Sequence, residues 1–335
     1  MKIMIYGDVH WCESSSIVRG MGTKYSQRLE NLIKSVNWVE QVAAENYCDL
    51  IIMLGDFFDK SILTAQEISA LNDIQWSDIR KVFLTGNHEI GRADRTFSTI
   101  DLFDSFSNST VISQPTEWNL GGKKCYFLPY FLEKDRPKIT QHYDYVFSHN
   151  DIKGLQLGQF VSKEGFDINE IEEFCKYFFN GHIHNGMFIG KNIVNIGNLS
   201  GQNFSEDALT YSHNVVILDT ETDDLKFIEN PFAFNFYKLG IAASVSELID
   251  QLTELKNNAV ISVTLDSSDF GLKNLIENDA RIVSKRILLK DRTSSAGTDT
   301  EQFEAVDYLQ KFVEFVKNNM EMTDIANEEL SKVIA

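Results

Sequence analysis

The sequence predicts an α/β sandwich with buried sheets, followed by a small α+β domain and C-terminal helices. Three observations predict it. Continuous apolar strands alternate with helical stretches through the first part of the chain. Polar clusters rich in glycine, aspartate and histidine stop those strands abruptly. After Pro231 the alternation starts again on a shorter scale.

Each element follows in order. "KIMIYGD" is a buried strand ending in Gly7-Asp8. Residues 26–46 form an amphipathic helix, because Leu29, Leu32, Ile33, Val36, Val39 and Ala43 recur at helical spacing. "CDLIIMLGDFFD" is a second buried strand, ending in Gly55-Asp56. A helical stretch near 64–73 leads to "KVFLTGNHE", a third strand with a polar end. Short strands follow in "KCYFLPY", "DYVFSHND", "KYFFNGHIH", "NIVNIGNLSG", "NVVILDTE" and "LKFIEN". Residues 235–291 read β-α-β-α-β, through "FYKLGIAA", "VSELIDQLTEL", "AVISVTLD", "GLKNLIEN" and "RIVSKRILLK". "DRTSSAGTDTEQ" is a polar linker. A last helix carries Phe303, Val306, Leu309, Val313 and Val316 on one stripe. The expected divisions are therefore 1–232 for the core, 233–292 for the small domain and 293–335 for a linker and helical tail.

Composition narrows the function. The 335 residues are 43% hydrophobic and 24% charged, which is ordinary for a globular chain long enough to bury a sizeable core. No apolar run approaches the roughly 20 residues that span a bilayer, and Asp8 interrupts the N-terminal apolar stretch too early for a signal peptide. Cys12, Cys48, Cys125 and Cys175 show no CxxC spacing, so they are expected as free thiols in a reducing cytoplasm. A net charge of −18 argues against a protein that coats nucleic acid electrostatically. It leaves room for an enzyme that meets phosphate through metal ions, which bring their own positive charge.

The chemistry lies in five clusters: Asp8-Val9-His10, Gly55-Asp56, Gly86-Asn87-His88-Glu89, Ser148-His149-Asn150 and Gly181-His182-Ile183-His184. They hold five of the seven histidines, and each follows a predicted strand, where α/β sheets place their ligands. A lone Gly-Asp after a strand is usually a turn, and a lone histidine there is usually packing. Five such clusters together point to metal ligation. Imidazole, carboxylate and amide oxygen without thiolate suit hydrolytic manganese, iron or zinc rather than a structural zinc site. Two ions about 3.5–4 Å apart need an anionic ligand between them, and Asp56 is the natural bridge. His142 and His213 have no such surroundings and are expected as ordinary histidines. Asp59 is either a group supporting the site or a helix N-cap.

The blocks "GDVH", "GDFFD", "GNHE", "SHND" and "GHIH" resemble the signature blocks of calcineurin-like metallophosphoesterases. Within that superfamily, "DVH" without a following glycine and the closing "GHIH" are most similar to SbcD-type nucleases of double-strand-break repair. The resemblance covers roughly residues 1–232; the small domain and tail match that family's capping domain and partner-binding tail in order and size. It implies that Asp8, His10 and His184 hold one metal, that Asn87, His149 and His182 hold the other, and that Asp56 bridges them. His88 becomes the acid that protonates the leaving oxygen. Some members carry a histidine where this chain has Asp59, which is then expected to orient His88.

The resemblance further implies two manganese ions, phosphodiester hydrolysis, and DNA as substrate, with exonuclease action on duplex ends and endonuclease action on single strands. The implied partners are an SbcC/Rad-type coiled-coil ATPase and a second copy of the chain. DNA contacts are expected from local positive charge: Arg92 and Arg95 behind the third cluster, Arg19, Lys24 and Arg28 behind the first, and Lys285, Arg286, Lys290 and Arg292 on the last strand of the small domain. The alternatives are a phosphomonoesterase or cyclic-nucleotide phosphodiesterase of the same superfamily, or a non-catalytic scaffold on this fold. Against a phosphatase, no Asp-Arg-Gly follows the second cluster and no glycine follows His10. Against a scaffold, every expected ligand is present.

Overall fold

The structure is a computed structural model that describes residues 1–91, 97–157, 160–239, 245–266 and 270–290. The chain opens with β1 (Lys2–Tyr6), α1 (Gln27–Glu45), β2 (Leu50–Met53), α2 (Ala65–Ala70), β3 (Arg80–Leu84) and β4 (Ser109–Ile112). Next come β5 (Thr116–Leu120), β6 (Lys123–Leu128), β7 (Tyr143–Ser148), the short pair β8 (Gln156–Leu157) and β9 (Phe160–Val161), and α3 (Ile168–Phe174). Then follow β10 (Cys175–Asn180), β11 (Met187–Ile189), β12 (Ile193–Asn195), β13 (Asn214–Asp219) and β14 (Asp224–Glu229). The chain continues through β15 (Asn235–Leu239), α4 (Val245–Thr253), β16 (Ala259–Asp266), α5 (Phe270–Asn278) and β17 (Ile282–Lys290).

Two six-stranded sheets form the sandwich, in the orders β14-β13-β1-β2-β3-β4 and β11-β12-β10-β7-β6-β5. β1 to β4 run parallel, as do β6, β7, β10 and β12, so both sets of carboxyl ends reach the same kind of edge. Alternation along β1 shows why its sequence is apolar throughout. Ile3 and Ile5 pack across the sandwich with Phe127, Phe147 and Phe179, whereas Met4 and Tyr6 face Leu29, Leu32, Val36 and Val39 of α1. A strand buried on both faces has no place for a polar residue. α1 begins where Ser26 accepts the Leu29 N–H at 3.1 Å, which satisfies one of the donors a helix start leaves open. α3 covers the second sheet, with Ile171 packing against Phe178 and Ile193.

β15, β16 and β17 form a three-stranded sheet of their own, covered by Leu252, Leu255 and Ile276. It belongs to the same compact unit as the large sheets, residues 1–289. The four cysteines are free and buried. Among the described residues no helix is long and apolar enough to cross a membrane. The striped tail helix lies outside the described residues.

Candidate metal centre

All five clusters sit just beyond the carboxyl ends of parallel strands: Asp8 and His10 after β1, Asp56 after β2, Asn87 and His88 after β3, His149 after β7, and His182 and His184 after β10. The turns that bring them together are unusual. Asp8, His10, Asp56 and His182 adopt φ of 51°, 48°, 54° and 72°. Left-handed backbone in a non-glycine residue costs on the order of 1–3 kcal/mol and concentrates at functional sites. Main-chain bonds between neighbouring turns hold it here: Asp8 N–H donates to the Gly55 carbonyl at 3.1 Å and His10 N–H to the Asp56 carbonyl at 2.9 Å. Glycine is needed at two points of close approach. A Cβ on Gly86 would stand 2.1 Å from Asp56 Oδ1, and one on Gly181 would stand 3.0 Å from both Asp8 Oδ2 and His149 Nδ1.

The ligand-type atoms of Asp8, His10 and His184 converge within 4.8 Å of one another, as do those of Asp56, His149 and His182. Asn87 joins the second group: its Oδ1 is 3.1 Å from His149 Nε2 and 2.9 Å from His182 Nδ1. Asp56 lies between the groups, with Oδ2 3.1 Å from His149 Nε2 and 3.9 Å from His10 Nε2. His10 Nε2 and His184 Nε2 face each other at 3.0 Å. Oxygen and imidazole donors thus point inward at two positions that share one carboxylate, a donor set that fits two divalent ions.

The opposite ring nitrogens are all occupied. His149 Nδ1 meets the Leu54 carbonyl at 2.6 Å, His184 Nδ1 the Glu206 carboxylate at 3.0 Å, and His182 Nε2 the Asp151 carboxylate at 3.4 Å. Such partners fix which nitrogen carries the proton and leave the other as a ligand. Asp59 divides itself between two rings. Its carboxylate is 3.0 Å from His10 Nδ1, and its carbonyl accepts from His88 Nδ1 at 2.8 Å. The carboxylate is farther from His88 Nδ1, at 3.7 Å.

Electrostatics match a cation site. Burial depresses the pKa of His149, but the Asp56 carboxylate outweighs it and lifts the value to about 9. Burial likewise raises Asp56, yet His149 holds its carboxyl well below the usual range. The Asp56 charge thus favours a cation at His149, either a proton or a divalent ion that would displace it. Glu89 braces the loop behind the cluster. Its two oxygens accept the Phe58 and Gly86 N–H groups at 3.1 and 2.7 Å, while burial and Asp56 push its pKa up to about 8.

Other expected residues fall elsewhere. Asn150 is buried and ties the main chain at Phe131, Leu128 and Pro129. His213 is buried, with Nδ1 on the Asn198 carbonyl at 2.9 Å. Arg19 is exposed and donates to the Ser16 carbonyl, and Lys24 pairs with Asp73 at 2.8 Å. Arg28 corrects an expectation of surface contact. It is 4% exposed and donates to the Gly201 carbonyl at 2.7 Å, so it serves the fold and not a ligand. Arg92 and Arg95 lie outside the described residues. Lys285 and Arg286 are exposed on β17. Glu206, Asp151 and Glu89 support the site in ways that the cluster pattern alone does not single out. Glu89 had the best signal, since it closes the Gly-Asn-His-Glu cluster.

A family profile described as calcineurin-like phosphoesterase matches residues 1–214. Comparison with curated proteins gives no match. Among solved structures the chain is similar to a hypothetical protein from Thermus thermophilus, at 12% identity over 69% of this chain and 100% of that one, with a TM-score of 0.38. It is also similar to a protein of unknown function from Aquifex aeolicus, at 13% identity over 57% of this chain and 82% of that one, with a TM-score of 0.29.

Proposed function

This chain belongs to the calcineurin-like phosphoesterase family of metal-dependent phosphoester hydrolases, and we propose that, within it, the substrate is DNA and the chain is the nuclease subunit of a repair or recombination complex. In this reading Asp8, His10 and His184 hold one ion, Asn87, His149 and His182 hold the other, and Asp56 is shared. Manganese is the metal that the resemblance to SbcD-type nucleases implies, within a donor set of oxygen and imidazole that also suits iron or zinc. When bound, two such ions supply a nucleophile near neutral pH and clamp the attacking and leaving oxygens.

The chain's own groups do the rest. His88 donates its Nδ1–H to the Asp59 carbonyl, so its Nε2 is the nitrogen left to work. Its side chain is 40% exposed beside Asp56 and His10, a place from which an imidazolium protonates the departing sugar oxygen.

The observation that carries a polymeric substrate is the seating of the small sheet. Phe236 and Val260 of that sheet pack with Val18, from the loop behind Asp8 and His10, and with Phe204, from the loop that holds Glu206. Ser284 donates to the Ile17 carbonyl at 3.0 Å. The small sheet thus rests on two loops that elsewhere carry ligand or ligand-supporting residues. Such a flank extends the surface beside the centre, which a nucleic-acid strand would use over more of its length than a small phosphoester. In this reading the residues beyond 293 dock an SbcC/Rad-type ATPase, and two copies of the chain pair within the complex.

The test is hydrolysis by the purified chain in manganese or magnesium, on linear duplex DNA, single-stranded DNA and p-nitrophenyl phosphate. Manganese-dependent DNA cleavage is expected. Hydrolysis of the small ester with no cleavage of either DNA would establish a phosphomonoesterase instead.

A further inference from the structure

We propose that the two metal positions are unequal, and that Asp59 and Glu206 are positioning residues which make the Asp8–His10–His184 position the tighter one. This rests on the two-metal reading above and goes beyond it, because neither residue is a ligand.

The difference lies behind the histidines. At the first position both imidazoles are backed by carboxylates: His10 Nδ1 by Asp59 Oδ1 and His184 Nδ1 by Glu206 Oε1, each at 3.0 Å. Glu206 is completely buried at its side chain and is itself held, with Oε2 accepting the Gln202 N–H at 2.8 Å. A carboxylate is buried only where it is paired, and its partner here is the ring it steers. At the second position His149 is backed by a neutral carbonyl, that of Leu54. His182 has a carboxylate, Asp151, but at 3.4 Å and with 37% of that side chain exposed. Water screens that contact far more than the buried Glu206 pair, and although Asp59 is as exposed, at 36%, it lies closer to its ring, at 3.0 Å.

Three consequences follow. Donation of both Nδ1 protons to carboxylates leaves His10 Nε2 and His184 Nε2 as lone pairs facing each other at 3.0 Å. Two lone pairs at that distance repel unless a proton or a metal ion stands between them. A carboxylate behind an imidazole also raises its basicity as a ligand and fixes its orientation. Finally, the first position feels Asp8, Asp59 and Glu206 in addition to the shared Asp56. The second adds the neutral Asn87 and the more distant Asp151. Coulomb attraction for a doubly charged ion therefore favours the first.

The test is titration of the metal-free full chain with Mn²⁺, read by calorimetry and by the paramagnetic signal of free Mn²⁺, without any activity assay. Wild type should bind two ions in separate steps, and Asn87→Ala should remove only the weaker step. Glu206→Gln and Asp59→Asn should each weaken the tighter step by about 10–100-fold, the usual cost of losing such a partner, with the weaker step unmoved. Glu206→Asp should recover part of the loss. Because Glu206 is buried, Asp59→Asn, at a half-exposed side chain, carries the test alone if Glu206→Gln does not fold. Equal steps in the wild type, or variant losses that fall on the weaker step or on neither, would overturn the proposal. A wild-type chain that binds fewer than two ions would overturn the two-metal reading itself.

Discussion

Asp56 Oδ1 accepts the main-chain N–H of His88 at 2.9 Å, so the residue that joins the two halves of the centre also anchors the loop of the candidate acid. Its other oxygen is left to face His149 and His10. Replacing Asp56 by Asn keeps an oxygen for the His88 N–H and removes the charge shared between the ions. Asp56→Asn is expected to abolish hydrolysis and to drop metal content well below two ions per chain, as measured by mass spectrometry. Full occupancy in an inactive variant would remove Asp56 from the bridging role.

His88 is expected to behave differently. Its Nδ1 is taken by the Asp59 carbonyl, and although its ring converges with His10 and Asp56, each ion position in this reading has its ligands without it. His88→Gln should retain both metals and DNA binding while slowing the chemical step by about 10²–10⁴-fold, the range for a lost general acid. Single-turnover cleavage together with metal analysis checks this. Loss of a metal in the variant would make His88 a ligand.

The sequence made the strand ends legible for a physical reason. Strands buried on both faces are unbroken apolar runs, as in Ile3 to Tyr6, so the polar residue that stops each run stands out. β4 and β5 were not legible, because "STVI" and "TEWNL" are short edge strands, half covered, without a clear alternation. α3, with seven residues, is too short to show a helical period. Within the centre, the ligand types could be read locally, but the contacts behind them could not. Glu206 meets His184 across 22 residues and Asp59 meets His10 across 49, and neither spacing has a sequence signature. The same holds for the left-handed turns at Asp8, His10, Asp56 and His182, which bonds from neighbouring strand ends impose.

Asp223 gives a pH signature remote from the centre. Burial acts to raise its carboxyl, but Lys176, Tyr145 and Lys123 outweigh it and hold the group well below the usual carboxylate range. A depressed folded-state value stabilises the fold above the unfolded value, about 3.9, and that stability fades as pH falls through the folded value. Asp223→Asn should therefore lower the melting temperature by a constant amount from pH 8 to about 5, with the gap closing on further acidification. A gap that widens in acid would contradict the assignment.

The tail tests the partner. The stripe Phe303, Val306, Leu309, Val313 and Val316 follows a polar linker, and apolar surface left in water costs roughly 25 cal/mol per Å². Deleting residues 293–335 is expected to leave the core folded and able to cleave single strands in manganese, while ending co-purification with a coiled-coil ATPase. A collapse of the melting temperature would place the helix in the core.

The most direct measurement of the central claim is anomalous scattering at the manganese edge from crystals grown with Mn²⁺. Two peaks are predicted, about 3.5–4 Å apart, one among Asp8, His10 and His184, the other among Asn87, His149 and His182, with Asp56 touching both. A single peak, or two peaks without a shared Asp56, would contradict the account.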